Sequence, residues 1–319
     1  MARKVLVCIA CVGICVMMLV VGCATQADLS LKPRTGDATT YNVKTEMIKD
    51  FKFEQPSLEK VKEEQTISTI ESTFVQQTEG IEADGSAVAN ITIKEIKYYV
   101  NEKGDVKFEF DSTSEKGKKD PFAKLIGKSY KIKISPAGDV TVVDAEAARK
   151  VVTSGYAGRV AKSFLDDKNI AKRHEILALP EAGKSMVSVG DSWKRIEASP
   201  PGLLSPKSYE KTYTVEKLSG SEGAQVAHVT MNAVESAVAA ADAEQGAGSL
   251  GPFAKMFDTE DSLTGNMVLD LGSGQVDEYN EKLVVKYIVA EASAHQKPDK
   301  GPDTLMIRFT HSIAVEKVN

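Results

Sequence analysis

The chain has few residues placed to do chemistry. Its four histidines are His174, His228, His295 and His311, and no two stand at the spacing that puts metal ligands on one helix face. His311 is the unusual one, because it falls on the apolar side of an alternating stretch. One imidazole there is expected to be a core or half-exposed histidine. The paired acids Glu63-Glu64 and Asp166-Asp167 cannot face each other across a cleft as a glycosidase pair must, so solvated faces or helix ends are expected. Gly127-Lys128-Ser129 has the tail of a phosphate-binding loop, but Phe122 stands where the motif requires its first glycine. A turn entering a strand at Tyr130 is expected instead. No Gly-x-Ser-x-Gly, His-Glu-x-x-His or EF-hand loop occurs. No catalytic residue, cofactor site or metal site is therefore assigned, and the expectation is a protein without catalysis.

The cysteines point elsewhere. Cys8, Cys11, Cys15 and Cys23 are the only four. Beyond Cys23 the fold must rest on its own core, with no disulfide, thiolate zinc site or Cys nucleophile. Val5 to Gly22 is an uncharged run behind a basic head of Arg3 and Lys4, short for a transmembrane helix and ending in small residues as a signal peptide does. Val20-Val21-Gly22-Cys23 resembles a bacterial lipobox. The resemblance implies cleavage before Cys23, a diacylglycerol on its sulfur, and durable anchoring by several acyl chains. Ala24 at the next position implies outer rather than inner membrane in a Gram-negative host.

Removing Arg3 and Lys4 takes the net charge from −5 to −7. A mildly acidic chain with one short basic run, Lys116-Gly117-Lys118-Lys119, is not expected to bind nucleic acid.

The elements are mostly strands. Val106, Phe108 and Phe110 alternate with charged residues, as do Ile132 and Ile134, then Leu283 to Val289, then Leu305 to Val315. Short Gly-containing turns between them suit antiparallel hairpins. Spacings of three and four over 144–178 predict two or three short helices. Four blocks recur in the same order: Gly36-Asp37 with Gly190-Asp191, Asp84–Thr92 with Glu222–Thr230, Pro121–Leu125 with Pro252–Met256, and Gly138-Asp139-Val140 with Gly274-Gln275-Val276. Ordered recurrence predicts two related halves. The Ala-rich stretch 233–248 has no counterpart and is expected to be a loop or short helix.

The segments Leu177–Trp193 (LALPEAGKSMVSVGDSW) and Gly127–Val140 (GKSYKIKISPAGDV) resemble those of a family of secreted, planctomycete-type bacterial proteins of unknown function. The resemblance implies an envelope-facing β-rich domain and assigns no activity. The expected organisation is a signal peptide over 1–22, a lipidated tether over 23–40, a β-rich half over 41–143, a helical connector over 144–180 and a second β-rich half over 181–319. The expected fold is mainly β (α+β), an antiparallel curved sheet or half-barrel. The expected role is non-catalytic binding or support in the cell envelope. Its partners would be the membrane, through Cys23, and a hydrophobic ligand such as lipid or an envelope protein. Open alternatives are a periplasmic carrier of a hydrophobic ligand and an enzyme of unrecognised type.

Overall fold

The computed structural model describes residues 26–220, 225–240, 256–292, 296 and 300–318. Cys23, the expected signal peptide over 1–22 and His295 lie outside them. The alternating stretches form strands wherever one side can be buried. The first half supplies β1 (Ala27–Asp28), β2 (Ala38–Gln55), β3 (Lys60–Ile81), β4 (Ala87–Glu102), β5 (Asp105–Asp111), β6 (Ser129–Ile134) and β7 (Val140–Asp144). The second supplies β8 (Met186–Val187), β9 (Ser192–Ala198), β10 (Ser208–Ser219), β11 (Val226–Glu235), β12 (Asp258–Asp270), β13 (Gln275–Ala290) and β14 (Thr304–Val318). Ala233 is the third-last residue of β11, so the Ala-rich stretch begins as strand. Residues 241–248 of it lie outside the described set.

All strands but β1 and β8 join one open antiparallel sheet in the order β7-β6-β4-β3-β2-β14-β13-β12-β11-β10-β9, with β5 on β4 beside β6. Each half crosses the sheet in the same direction, and β14 fills the space between the start of one and the end of the other. The sheet is strongly curved. Arg195 on the edge strand β9 donates to the carbonyls of Ala137 (3.3 Å) and Leu179 (3.0 Å). Ala137 belongs to the turn before β7, the opposite edge. The sheet thus curls into a half-barrel whose edges are bridged by side chains rather than by strand pairing.

The halves repeat in backbone detail. Gly36 N–H donates to Thr78 O and Thr78 N–H to Asp37 O. Gly190 N–H donates to Val215 O and Val215 N–H to Asp191 O. Both glycines hold φ near +90° (93° and 91°), a region that costs L-residues a steric penalty. A bulge follows each contact, between Thr78 and Gly80 and between Val215 and Lys217.

The lead-in segments are exchanged. Ile176 N–H donates to the carbonyl of Gly138, and Lys32 N–H to that of Gly274. A Cβ on either glycine would lie within 2.5 Å of the crossing chain. β1 and β8, one from each lead-in, pair with each other. This corrects the expected tether over 23–40 for its described part. Ala27 and Leu29 are buried, because these small and apolar side chains close the end of the core.

Three helices follow β7: α1 (Glu146–Arg149), α2 (Gly155–Phe164) and α3 (Asp167–His174). Asp166 caps α3 by accepting from Lys168 N–H, and Lys172, Arg173 and His174 occupy its last turn, as the helix dipole favours. The helices cover the inner face of the first half. Phe164 meets Phe122 (6.1 Å between centroids) and His174 meets Phe74 (4.4 Å).

Candidate functional site

The helices do not fill the inner face. Between them and the sheet is a cavity of about 300 Å³. Its floor carries Val43 and Met47 of β2, Ile70 and Ser72 of β3, Tyr98 of β4, and His311 and Ile313 of β14. Its cover is Phe164, Lys172 and Arg173 from α2 and α3, with Pro200 and Pro201 from the β9–β10 loop. The β10–β13 side carries Lys211, Tyr279 and Glu281, and β9 adds Glu197. One wall is thus largely apolar and the other ionic. A separate space of about 80 Å³ lies beneath, against Tyr41, Phe74, His174 and Val315.

The ionic wall is built by strand alternation. On β10, Tyr209, Lys211, Tyr213 and Val215 point inward. On β13, Tyr279, Glu281 and Leu283 do. Lys211 is only 5% exposed, and its Nζ lies 2.6 Å from both Glu197 Oε2 and Glu281 Oε2. Tyr279 donates to Glu281 Oε2 at 2.7 Å, and Tyr213 to Glu197 Oε1 at 3.4 Å. Gly265, opposite Glu281 on β12, leaves the room: a Cβ there would come within 2.6 Å of the Asn280 carbonyl oxygen.

Burial works against the Lys211 charge, but Glu281 and Glu197 together push its pKa up. Burial likewise opposes the Glu281 charge, yet Lys211 and the Tyr279 hydroxyl hold its pKa down. His311 is lowered to about 4, chiefly by burial and then by the positive charges of Lys172 and Lys211, against the pull of Glu281. At neutral pH the lysine stays charged, Glu281 ionised and the imidazole neutral. Such a cluster holds charge in place rather than exchanging protons.

The Arg173 guanidinium stacks on Phe164 (3.9 Å) and its Nη2 donates to the Phe164 carbonyl at 2.8 Å. Its guanidinium also lies within hydrogen-bonding reach of the buried Tyr130 hydroxyl, whereas Ser72 Oγ on the floor is buried with no hydrogen-bond partner among the described residues.

The residues singled out from sequence are dispersed. His311 reaches the cavity as a single imidazole. His174 is buried against Tyr130, Nε2 to hydroxyl 2.6 Å, and burial first, then Arg173, lowers its pKa well below 6.5. His228 contacts Ser219 at 3.3 Å. Asp166 is a helix cap and Asp167 pairs with Arg149. Glu64 lies 2.8 Å from both Lys62 and Lys103. Gly127 (φ 78°) turns the chain into β6. Among the described residues no three His, Cys, Asp or Glu could together hold a metal ion, and no helix is long and apolar enough to cross a membrane. Sequence reasoning missed Lys211, Glu197, Glu281, Arg173 and Ser72. The available signal was Lys211 at an inward position between Tyr209 and Tyr213.

No family model matches the chain, and no curated protein does. Among solved structures, one of lipovitellin, described by its lipid–protein interactions, aligns with 90% of this chain and 26% of its own length. It has 11% identity and a TM-score of 0.43. The chain thus spans about a quarter of that protein. DynF from the dynemicin biosynthesis pathway of Micromonospora chersina aligns over 91% of this chain and 85% of its own, at 8% identity and a TM-score of 0.15. Neither likeness is close enough to fix a ligand or an activity.

Proposed function

We propose that the protein is a lipid-anchored cell-envelope protein that binds a hydrophobic ligand such as lipid in its half-barrel, without catalysing a reaction on it. The observation that carries this reading is the cavity of about 300 Å³ between the inner sheet face and α2–α3. An apolar wall facing a few fixed polar groups is the usual build of a small-molecule site. Anchoring rests on the lipobox-like Val20–Cys23, with Ala24 favouring the outer membrane. Native mass spectrometry tests the binding role. The chain starting at Ala24, exported in its own host on a cleavable non-lipid signal, is expected to carry a co-purifying lipid. A ligand-free mass throughout would leave a purely supporting role in the envelope.

A further inference from the structure

The two inner spaces lie on one line. β14, β2 and β3 are neighbours in the sheet, and their inward residues form rows across it. The row Tyr41–Phe74 borders the small space, and the row Ile313–Thr45–Ile70 borders the large cavity. Between them runs the row Val315–Val43–Ser72. Val43 on the floor and Arg173 on the cover line both spaces. Thr39 borders the small space and Met47 the large one. The stretch of β2 between them is about 27 Å long at the usual strand rise, and a floor of three strands is about 10 Å wide.

A long, narrow, largely apolar floor favours an extended hydrocarbon chain over a fused-ring lipid. The ionic groups of the side wall are paired with one another, Lys211 with Glu197 and Glu281, so selection falls on the chain rather than on a charged head. The Arg173 head is engaged by Phe164, and its methylene stem is an apolar surface against which a chain can pack. Resting on the binding role proposed above, we propose that the two spaces are one site for a single unbranched alkyl or acyl chain. The chain lies parallel to β2 and runs past Val43 and the Arg173 stem from one space into the other.

Two photoprobes test the span: hexadecanol with a diazirine beside the hydroxyl, and hexadecanol with the diazirine at its far end. Each is irradiated with the delipidated chain starting at Ala24, and labelled peptides are read by mass spectrometry. One probe is expected to label around Tyr41, Phe74 and Val315, and the other around Met47 and Ile70. Both probes labelling the same space would overturn the joined site and leave the binding role standing. If neither gives labelling that excess hexadecanol suppresses, the binding role falls and the joined site with it.

Displacement of the dye N-phenyl-1-naphthylamine by alcohols from decanol to hexadecanol gives a second reading. Each methylene that enters the slot is expected to tighten binding roughly fourfold. Gln76→Phe, on the half-buried rim of the small space, should end that gain at a shorter chain and leave decanol unchanged. A gain that ends at the same length in both proteins, or cholesterol displacing the dye as well as hexadecanol does, would count against the slot. The photoprobes decide the matter even if the variant fails to fold.

Discussion

Lys211 on β10 and Glu281 on β13 meet at 2.6 Å although β11 and β12 run between their strands. In a flat sheet three strand spacings of about 4.8 Å would hold their backbones about 14 Å apart. The pair therefore depends on curvature and on small residues between. The register places Ala233 beside Lys211 and Gly265 beside Glu281, so the charged side chains lean over nearly empty positions.

Removing the shared cation should be severe. Lys211→Met leaves two carboxylates facing each other in a buried site, and breaking a buried pair in this way costs about 3–5 kcal/mol. Urea unfolding should show a lower midpoint at an unchanged slope. Adding Glu197→Gln and Glu281→Gln to the same chain should recover much of the loss. A single variant within about 1 kcal/mol of wild type would mean that the cluster is solvated.

Acid should weaken the fold before its carboxylates protonate. The His311 pKa is about 4 in the native state, below the ordinary value near 6.5 of an unfolded chain. Between those values the unfolded chain takes up a proton that the native chain refuses. Stability is full above about 6.5 and falls as the pH drops towards 4. The groups facing His311 are Glu281 on β13, Lys211 on β10 and Lys172 on α3, and only Glu281 resists the shift. His174, lowered by burial and Arg173, adds to the loss in the same direction. Thermal melts at pH 7.5 and pH 5 should show His311→Gln losing less than wild type, by about 1–2 kcal/mol. Equal losses would remove His311 from this account.

Lipidation is tested at Cys23. Cys23→Ser should leave the precursor uncleaved and unlabelled by radioactive palmitate, whereas the wild type is labelled. A processed and acylated serine variant would sink the lipobox reading. Because Ala27 is already paired in β1, only Ala24 to Gln26 would separate the lipid from the folded domain. That is a reach of about 14 Å at full extension, so the β1–β8 end would sit against the bilayer.

The strands were legible because alternation is a local signal. Leu305 to Val315 and Leu283 to Val289 show it plainly, and three-and-four spacing did the same for α2 and α3. Glycine turns were legible too, because Gly36 and Gly190 recur with the same following Asp. The ionic wall was not, because Lys211 and Glu281 have the composition of a wet face and only their parity places them inside. Glu197, Lys211 and Glu281 come from three strands joined by curvature, which no spacing in one segment records. The docking of Ala27 and Leu29 was hidden for a related reason. Their partners Val187 and Ser185 lie nearly 160 residues away, and a short polar segment looks like a leash until that contact is known.

The position of β14 also bears on how the molecule assembles. The second half is a meander of neighbours in sequence, and the first departs from one only where β6 passes β5 to pair with β4, so each can zip up from contacts near in sequence. Their union cannot, since Val315 pairs with Val43 and Leu305 with Phe53, across more than 250 residues of chain. Closing such a loop carries a large entropic barrier. Folding should therefore run in two tempos, with early independent meanders and a slow final insertion of one strand that turns two half-sheets into a single container.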